Sequence, residues 1–319
     1  FAAQSRCRPS PSDDRSAGAI VSEGVAVVDS DAMPRRRSGI WPGWAAARRF
    51  PLLSIGVGLM ALIVLAAILA PWLSPYPGDA ANAVHPEAAL LSPSGAHWFG
   101  TDQVGRDIFT RVLFGARVSL GIVVLVLAAA SVVGLAIGLA AGFLGGWVDT
   151  ILMRITDVFL AFPALLLAVA LSSVLSPSAL HAALAIAFTW WPWYARLARA
   201  QAISIRREGY SDAARVLGAS RTRQLVRHVL PNASTAVAVQ MSLDAAGIIL
   251  TAATMSYLGL GAQDPVPEWG LMVAQGQPLS TTAWWVITFP GLAIMVTAVA
   301  SNFIGDGLQG ALDPKRGNR

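Results

Sequence analysis

The stretch that decides the fold is residues 208–232, EGYSDAARVLGASRTRQLVRHVLPN, a basic segment that lies between two long apolar runs. Its first half has apolar residues at the i, i+3, i+4, i+7 spacing of one helical face, and Gly218 favours the left-handed conformation that ends a helix. Ser220 can cap a second helix with the same spacing, which Pro231 ends. The pattern predicts two short amphipathic helices joined at a glycine, an element suited to docking against a partner.

The composition is that of a membrane protein with several spans. Hydrophobic residues make up 55% of the chain and charged residues 13%, whereas a soluble domain carries about 25% charged residues. The arginine clusters that give the net charge of +5 lie beside apolar runs, where positive charge marks the cytoplasmic side. We expect them to face lipid headgroups or acidic groups of a protein partner, and we predict no nucleic-acid partner. Cys7 is the only cysteine and the four histidines are scattered, so we predict no metal site. A metal between His85 and His97 is conceivable, but hydrogen-bonded loop histidines are favoured.

Apolar runs of about 20 residues predict an all-α fold with six transmembrane helices. The runs cover 52–73, 117–141, 148–171, 179–200, 233–258 and 284–305. All but Arg106, Arg111 and Arg117 of the 23 basic residues lie on the side of the membrane that holds both termini. Because positive charge accumulates in the cytoplasm, both termini and the 208–232 segment are expected there.

The runs divide the chain into four regions. We expect a largely disordered cytoplasmic tail, a first transmembrane helix with an extracytoplasmic loop, a core domain that contains the docking loop 206–232, and a short cytoplasmic tail. These regions are 1–50, 51–116, 117–306 and 307–319.

Small residues and a proline mark the interiors of the spans. Gly134, Gly138 and Gly142 recur every four residues and form a ridge without side chains, which predicts close helix packing within the chain or with a partner. Pro163 interrupts the third run and bends it. Such a bend suits a translocation pathway and ordinary bundle packing equally well.

Acids within or at the ends of the spans are candidates for function. Asp157 lies three residues after Arg154, so a local ion pair is the simple interpretation. Asp244 has no basic residue within a turn, which makes it the better candidate for a pathway or interface contact. In the extracytoplasmic loop, Arg106 and Asp107 either contact a partner outside the membrane or form an internal ion pair.

The sequence lacks two motifs that mark common classes of enzyme. Lys315 is the only lysine and is followed by Arg316, so the chain has no GxxxxGK[ST] phosphate loop. It also lacks a GxSxG nucleophile motif. We therefore predict no enzymatic activity, no catalytic residue and no cofactor.

The docking segment resembles the EAA loop of bacterial ABC-importer permeases. The matching residues are Asp212-Ala213-Ala214, Gly218 and Val229-Leu230-Pro231, with Asp212 in place of the usual Glu. Four further stretches resemble the C-type permease of dipeptide, oligopeptide and nickel importers. They are HWFGTDQVGRDIFTRVLFGARVSL (97–120), MRITDVFLAFP (153–163), SYLGLGAQDPVPEWG (256–270) and GDGLQGALDP (305–314).

The resemblance implies a type I ABC-importer permease fold in a bacterial inner membrane. It implies a second homologous permease, two ATP-binding subunits or domains, and an extracytoplasmic substrate-binding protein that Arg106 and Asp107 would contact. The solute would be a di- or oligopeptide, with nickel or another small solute as the alternative. ATPase coupling would fall to Tyr210, Asp212, Ala213, Ala214, Leu217, Gly218, Arg221, Leu230 and Pro231.

Two other functions stay open on the residues alone. An ion-coupled secondary transporter would carry intramembrane acids in a relay and inverted repeats, whereas Asp244 is isolated and no repeat is evident. A membrane scaffold that transports nothing is the third interpretation. Co-purification with an ATPase would separate the importer from the secondary transporter.

Overall fold

The computed structural model describes residues 50–206 and 220–312, and within these ranges the chain is helical. The predicted all-α class is confirmed, since the only β-type pairing in the described part is an isolated bridge between Thr101 and Asp107. The helices are α1 Pro51–Leu73, α2 Ile108–Leu144, α3 Gly146–Leu160, α4 Ala164–Val174, α5 Ala179–Arg206, α6 Arg221–Gln224, α7 Leu230–Tyr257, α8 Trp269–Gly276 and α9 Trp285–Leu312.

Four of these helices, α1, α2, α7 and α9, are long and apolar enough to cross a membrane. The pair α3 and α4 makes a fifth span if the two are counted together. Helix α5 is 28 residues long but mixes its alanines with Trp190, Pro192 and Arg196, and it falls outside this group. The predicted number of six spans is therefore not confirmed, although each predicted run is mostly helical.

The third predicted run, 148–171, is broken and not merely bent. Helix α3 ends at Leu160, α4 begins at Ala164, and their axes meet at 84°. Pro163 is the cause, because it has no N–H to continue the ladder and it drives the residue before it out of the helical region. The same proline then occupies the N-cap position of α4.

Helices α2 and α5 form the centre of the bundle, with α7 packed against both. Helix α1 lies outside, against α9 and α2. The chain passes from α2 to α3 through Gly145 and Gly146, whose φ angles of 69° and 61° are left-handed values that side chains disfavour. Two connections, residues 74–107 and 258–284, meet at one end of the bundle, which we call the loop end. The opposite end, where α5 ends and α6 begins, is called the docking end.

The glycine ridge lies against α5. A Cβ added at Gly134 would lie 2.5 Å from the Tyr194 Cβ, and one added at Gly142 would lie 2.7 Å from the Arg199 carbonyl oxygen. At Gly138 it would collide with the backbone of Ala195. The missing side chains therefore let the backbones of α2 and α5 touch, as close packing in a membrane requires.

Arg117 on α2 donates hydrogen bonds to α1 at the turn where Pro71 interrupts the backbone hydrogen bonding of that helix. Pro71 lies inside α1 and has no N–H to donate to the Ala67 carbonyl four residues earlier. The Arg117 guanidinium donates to that carbonyl from Nε at 2.6 Å and to the Ile68 carbonyl from Nη2 at 2.9 Å. A side chain from α2 thus satisfies the acceptor that the proline leaves free.

Pro231 does not end a helix, contrary to the sequence prediction. The chain is helical from Arg221 to Tyr257, with a π-helical turn at Leu225–Val229 that closes with the Leu230 N–H donating to the Leu225 carbonyl. Pro231 lies in the first turn of α7, where its missing N–H costs little. The wider π turn carries the backbone past the proline and into the membrane helix.

Candidate functional site

The first candidate site is the docking loop at the end of α5. Its central part, residues 207–219, lies outside the described part of the chain. The coupling residues that fall there are Tyr210, Asp212, Ala213, Ala214, Leu217 and Gly218, and the side chain of Arg221 is also outside the description. Their roles stay predictions.

The second half of the docking element is described from Ser220 onward. The Ser220 hydroxyl accepts a hydrogen bond from the Arg223 N–H at 3.3 Å, which is the N-cap contact expected for this serine. Val229 is buried, and Leu225 packs with it on the last turns of α5. Val226 is 56% exposed, so the predicted apolar stripe is only partly covered within this chain.

Leu230 and Pro231 lie at the junction with α7, and both are exposed in this chain. Arg223 and Arg227 are exposed as well. Together with Val226 they give the docking end a surface that is both basic and apolar. This is the character expected of a segment that binds a protein partner near lipid headgroups.

Two ion pairs join α3 to α5 near the docking end. The Arg199 guanidinium donates to both carboxylate oxygens of Asp149, at 2.5 and 2.7 Å. Asp157 accepts from Arg196 Nη2 at 2.7 Å. The local pair between Asp157 and Arg154 that the sequence suggested is therefore wrong, because α3 packs against α5 and Asp157 pairs with Arg196 of that helix.

A buried ionic cluster forms the core of the loop end. The Arg106 side chain donates from Nε to Asp102 Oδ2 at 2.8 Å and from Nη2 to Asp264 Oδ1 at 3.1 Å. Asp102 also accepts the backbone N–H groups of Val104 and Arg106. Arg106 is 3% exposed, so its charge is balanced by these acids and not by water.

The same cluster fixes the start of α2. The Asp107 carboxylate accepts the Thr110 N–H at 2.8 Å as the N-cap of the helix, and the Asp107 N–H donates to Asp79 Oδ2 at 2.8 Å. Arg111 donates from Nη1 to the Asp79 carbonyl at 3.3 Å. Loop 74–107 is thereby attached to α2 by hydrogen bonds that leave little freedom at the junction.

Asp264 links the two loops and titrates abnormally. Burial raises its pKa, but hydrogen bonds from Arg106 and Gln275, with the charges of Arg106 and Arg111, outweigh burial and lower it below its ordinary value. Burial acts against the charge of Arg106, and the contacts with Asp264 and Asp102 raise its pKa above the usual value. Both groups are therefore charged at neutral pH.

Arg106 and Asp107 are thus brought into one cluster, although each has a different partner. Both side chains are buried and expose no surface to a binding protein. Their contact with such a protein stays a prediction. Sequence reasoning missed Asp264 and Arg111 as members. The only available signal was the surplus of acids in loop 74–107, which does not identify a partner more than 150 residues away.

The histidines of the loop end do not share a ligand. His85 Nε2 lies 3.1 Å from Asp79 Oδ1, and His97 Nδ1 lies 3.0 Å from Asp107 Oδ1. Within residues 50–206 and 220–312 no group of three or more histidine, cysteine or acidic side chains could hold a metal ion. Each histidine is instead bonded to an acid of the loop.

The remaining candidates lie within the spans. Pro163 lies at the break between α3 and α4. Asp244 lies in the middle of α7, where Gln240 donates to its Oδ1 at 3.0 Å. It faces Tyr194 of α5, with which it interacts electrostatically.

These features define a class of protein: a multi-pass helical membrane protein with an exposed basic and apolar element at one end. Residues 134–318 match the family model of the binding-protein-dependent transport system inner membrane component, and residues 43–93 match the N-terminal transmembrane domain of oligopeptide transport permease C. The chain belongs to the family of binding-protein-dependent transport system inner membrane components.

Relatives match most of the chain. It is 45% identical over 269 residues to the probable D,D-dipeptide transport system permease protein DdpC of Escherichia coli (strain K12), an alignment that covers 84% of this chain and 89% of the relative. It is 42% identical to the dipeptide transport system permease protein DppC of Alkalihalophilus pseudofirmus, with 82% and 85% covered. It is 40% identical to the glutathione transport system permease protein GsiD of Pectobacterium atrosepticum, with 82% and 87% covered.

Proposed function

We propose that this chain is the permease subunit of an ATP-driven importer of di- or oligopeptides, and that it forms half of the translocation pathway. The peptide class is supported by the relatives, since those named above carry dipeptides or the tripeptide glutathione in their names. A second homologous permease completes the pathway. Two ATP-binding subunits or domains supply ATP hydrolysis, and an extracytoplasmic binding protein delivers the solute.

One observation carries the coupling part of the proposal. Helix α5 is locked onto α2 along the glycine ridge and continues at Arg206 into the loop that resembles the EAA element. After the loop, Leu225 and Val229 return to the same end of α5. A push on the loop is therefore transmitted to α2 and α5 together, which suits a rigid-body change between inward-facing and outward-facing states.

The proposed orientation places the docking end and both termini in the cytoplasm of a bacterial cell, with the chain in the inner membrane. The support is the charge distribution, because Arg206, Arg223 and Arg227 lie at the docking end. The loop end then faces outward and holds the surface for the binding protein. Side chains exposed there include Tyr76, Val84, Leu91, Trp98 and Val266.

Replacing Gly218 by isoleucine tests the coupling loop. A β-branched residue disfavours the left-handed conformation that we expect at this position, so the two helices of the loop would no longer dock. In the reconstituted complex of both permeases, the ATPases and the binding protein, we expect stimulation of ATP hydrolysis by L-alanyl-L-alanine to fall at least about tenfold.

Gly121→Ile is the matched control, because a Cβ at Gly121 meets nothing within 4 Å. It should leave stimulated hydrolysis within about twofold of the unmodified complex. Membrane insertion of both variants is measured first. Normal insertion of Gly218→Ile together with unchanged stimulated hydrolysis would contradict the assignment of the loop.

A further inference from the structure

Helix α7 carries a polar stripe through an otherwise apolar membrane helix. Gln240, Asp244, Gly247 and Thr251 are spaced by four, three and four residues, which places them on one face. All four are half-buried in this chain. Charged and polar side chains are costly against lipid tails, so this face meets protein or water, and part of it meets α5, where Asp244 faces Tyr194 and Gly247 faces Trp190.

Asp244 is the acidic member of the stripe, and no basic side chain in the described part of the chain pairs with it. It lies at the midpoint of α7, the depth at which an ionised side chain costs most. Its Oδ1 accepts from Gln240 Nε2, whereas Oδ2 is buried without a hydrogen-bond partner. None of the ion pairs in the described part of the chain includes Asp244.

The arginines on the neighbouring helices are engaged elsewhere. On α5, Arg196 pairs with Asp157 and Arg199 pairs with Asp149. On α2, Arg117 donates to carbonyl groups of α1. None of these arginines therefore pairs with the Asp244 carboxylate.

Tyr194 places a second unsatisfied polar group beside this carboxylate. The residue is fully buried and lies near the midpoint of α5, at the same depth as Asp244. Its hydroxyl lies close enough to the Asp244 carboxylate to interact with it electrostatically and as a hydrogen-bond donor, yet Tyr194 Oη and Asp244 Oδ2 do not reach full hydrogen-bond geometry with each other or with another described group. Buried polar groups are usually satisfied by well-formed hydrogen bonds, so this imperfect contact is weak for a structural one, and both oxygens can turn to a ligand.

We propose that Asp244, Tyr194 and Gln240 form a site on the translocation pathway that takes the positively charged amino group of the passing solute. The inference rests on the proposed function, in which the solute is a peptide and the group is its α-ammonium. An ammonium has three N–H donors, and the three side chains offer a carboxylate, a hydroxyl and an amide oxygen as acceptors. A pathway site must attract its solute and then release it, which one carboxylate with two neutral acceptors allows.

Cysteine labelling tests whether water and charge reach this site. In a Cys7→Ser background, Gly247→Cys places a thiol one turn from Asp244, where a Cβ meets only Trp190 at 3.6 Å. The assembled complex, hydrolysing ATP, is treated with a cationic trimethylammonium-ethyl or an anionic sulfonato-ethyl methanethiosulfonate, and labelling of this chain is followed by mass spectrometry. We expect the cationic reagent to react about tenfold faster, because Asp244 attracts it.

The same measurement in Asp244→Asn should bring the two rates within about twofold of each other, and Asp244→Glu should restore the difference. Leu250→Cys on the exposed apolar side of α7 gives the background rate. Labelling at Gly247→Cys no faster than at Leu250→Cys would overturn the proposal. An unchanged ratio in Asp244→Asn would overturn it as well.

An uptake assay is the second test of the proposed site. Uptake of L-alanyl-L-alanine into proteoliposomes should fall at least about tenfold in Asp244→Asn, while the complex stays assembled by size-exclusion chromatography. Uptake equal to that of the unmodified complex would overturn the proposal. Absence of uptake by the unmodified complex would bear on the choice of peptide and not on the cation site, which the labelling ratio decides.

Discussion

The glycine ridge and the loop-end cluster hold the same helix, α2, by opposite physical means. Along Gly134, Gly138 and Gly142 the contact with α5 has no side chains on the α2 side, and the backbones meet directly. At the start of α2, Asp107 and its neighbours hold the helix through charges and hydrogen bonds. The first contact depends on shape alone, and the second depends on every charge having its partner.

The ridge contact can transmit a movement between α2 and α5, whereas the loop-end cluster fixes the start of α2 in place. The ridge joins α2 and α5 at the half of the bundle nearer the docking end, so both helices respond as one body to the proposed push of the loop. The cluster ties the two connections of the loop end together through Arg106 and Asp264. Removing a partner should therefore damage the cluster more than adding bulk damages the ridge.

The largest effect is expected from Arg106→Ala. The substitution leaves the buried Asp102 carboxylate without its main cation and also frees Asp264, and breaking a buried pair costs about 3–5 kcal/mol. We expect that loss in the free energy of unfolding, measured by denaturant titration in detergent. Arg223→Ala removes an exposed arginine of the same chain and should cost less than about 0.5 kcal/mol. Equal losses for the two variants would contradict the buried cluster.

The two regions also differ in how far the sequence predicts them. The ridge follows from a spacing of four residues within one helix, so its role in close packing was readable, although its partner α5 was not. The cluster joins Asp102 and Arg106 to Asp264, and no local pattern brings residues so distant in the chain together. For the same reason local spacing pairs Asp157 with Arg154, its neighbour in sequence, whereas the packing of α3 against α5, which supplies Arg196, is a property of the tertiary fold.

Gly138→Leu should produce the next largest effect. Its side chain would collide with the backbone of Ala195, and the two helices would have to separate. Overpacking of this kind costs about 3 kcal/mol, which denaturant titration in detergent would measure. Gly121→Leu adds the same side chain to the same helix where a Cβ meets nothing within 4 Å, and it should be tolerated. Equal tolerance of both would show that α2 and α5 are not in backbone contact.

Arg117→Met tests the contact between α2 and α1, which is intermediate between the ridge and the cluster because a single cation lies within apolar packing. It leaves the Ala67 carbonyl without a donor and should cost about 1–2 kcal/mol in the free energy of unfolding. Pro71→Ala restores an N–H four residues after Ala67, so Arg117→Met should cost less in that background. The double-mutant cycle measures the coupling. Additive losses would mean that the arginine does not compensate for the proline.

The smallest effect concerns the pH dependence of Asp264. Because its pKa is lower in the folded protein than in the unfolded chain, its stabilising contribution is present above the ordinary pKa of about 4 and is lost as the pH falls through the folded value. Asp264→Asn removes this dependence. We expect the difference in Tm between the two proteins to be constant from pH 7 to 5 and to shrink below about pH 4. A difference that grows on acidification would contradict the ion pair with Arg106.

The central claim, that ATP hydrolysis by a partner drives this permease through its docking loop, is tested most directly by peptide uptake. Proteoliposomes would contain both permeases and the ATPases, with the binding protein and radiolabelled L-alanyl-L-alanine outside and ATP inside. We predict accumulation that requires ATP, is abolished by Gly218→Ile and survives Gly121→Ile. Accumulation driven by a proton gradient without ATP, or unaffected by Gly218→Ile, would contradict the account.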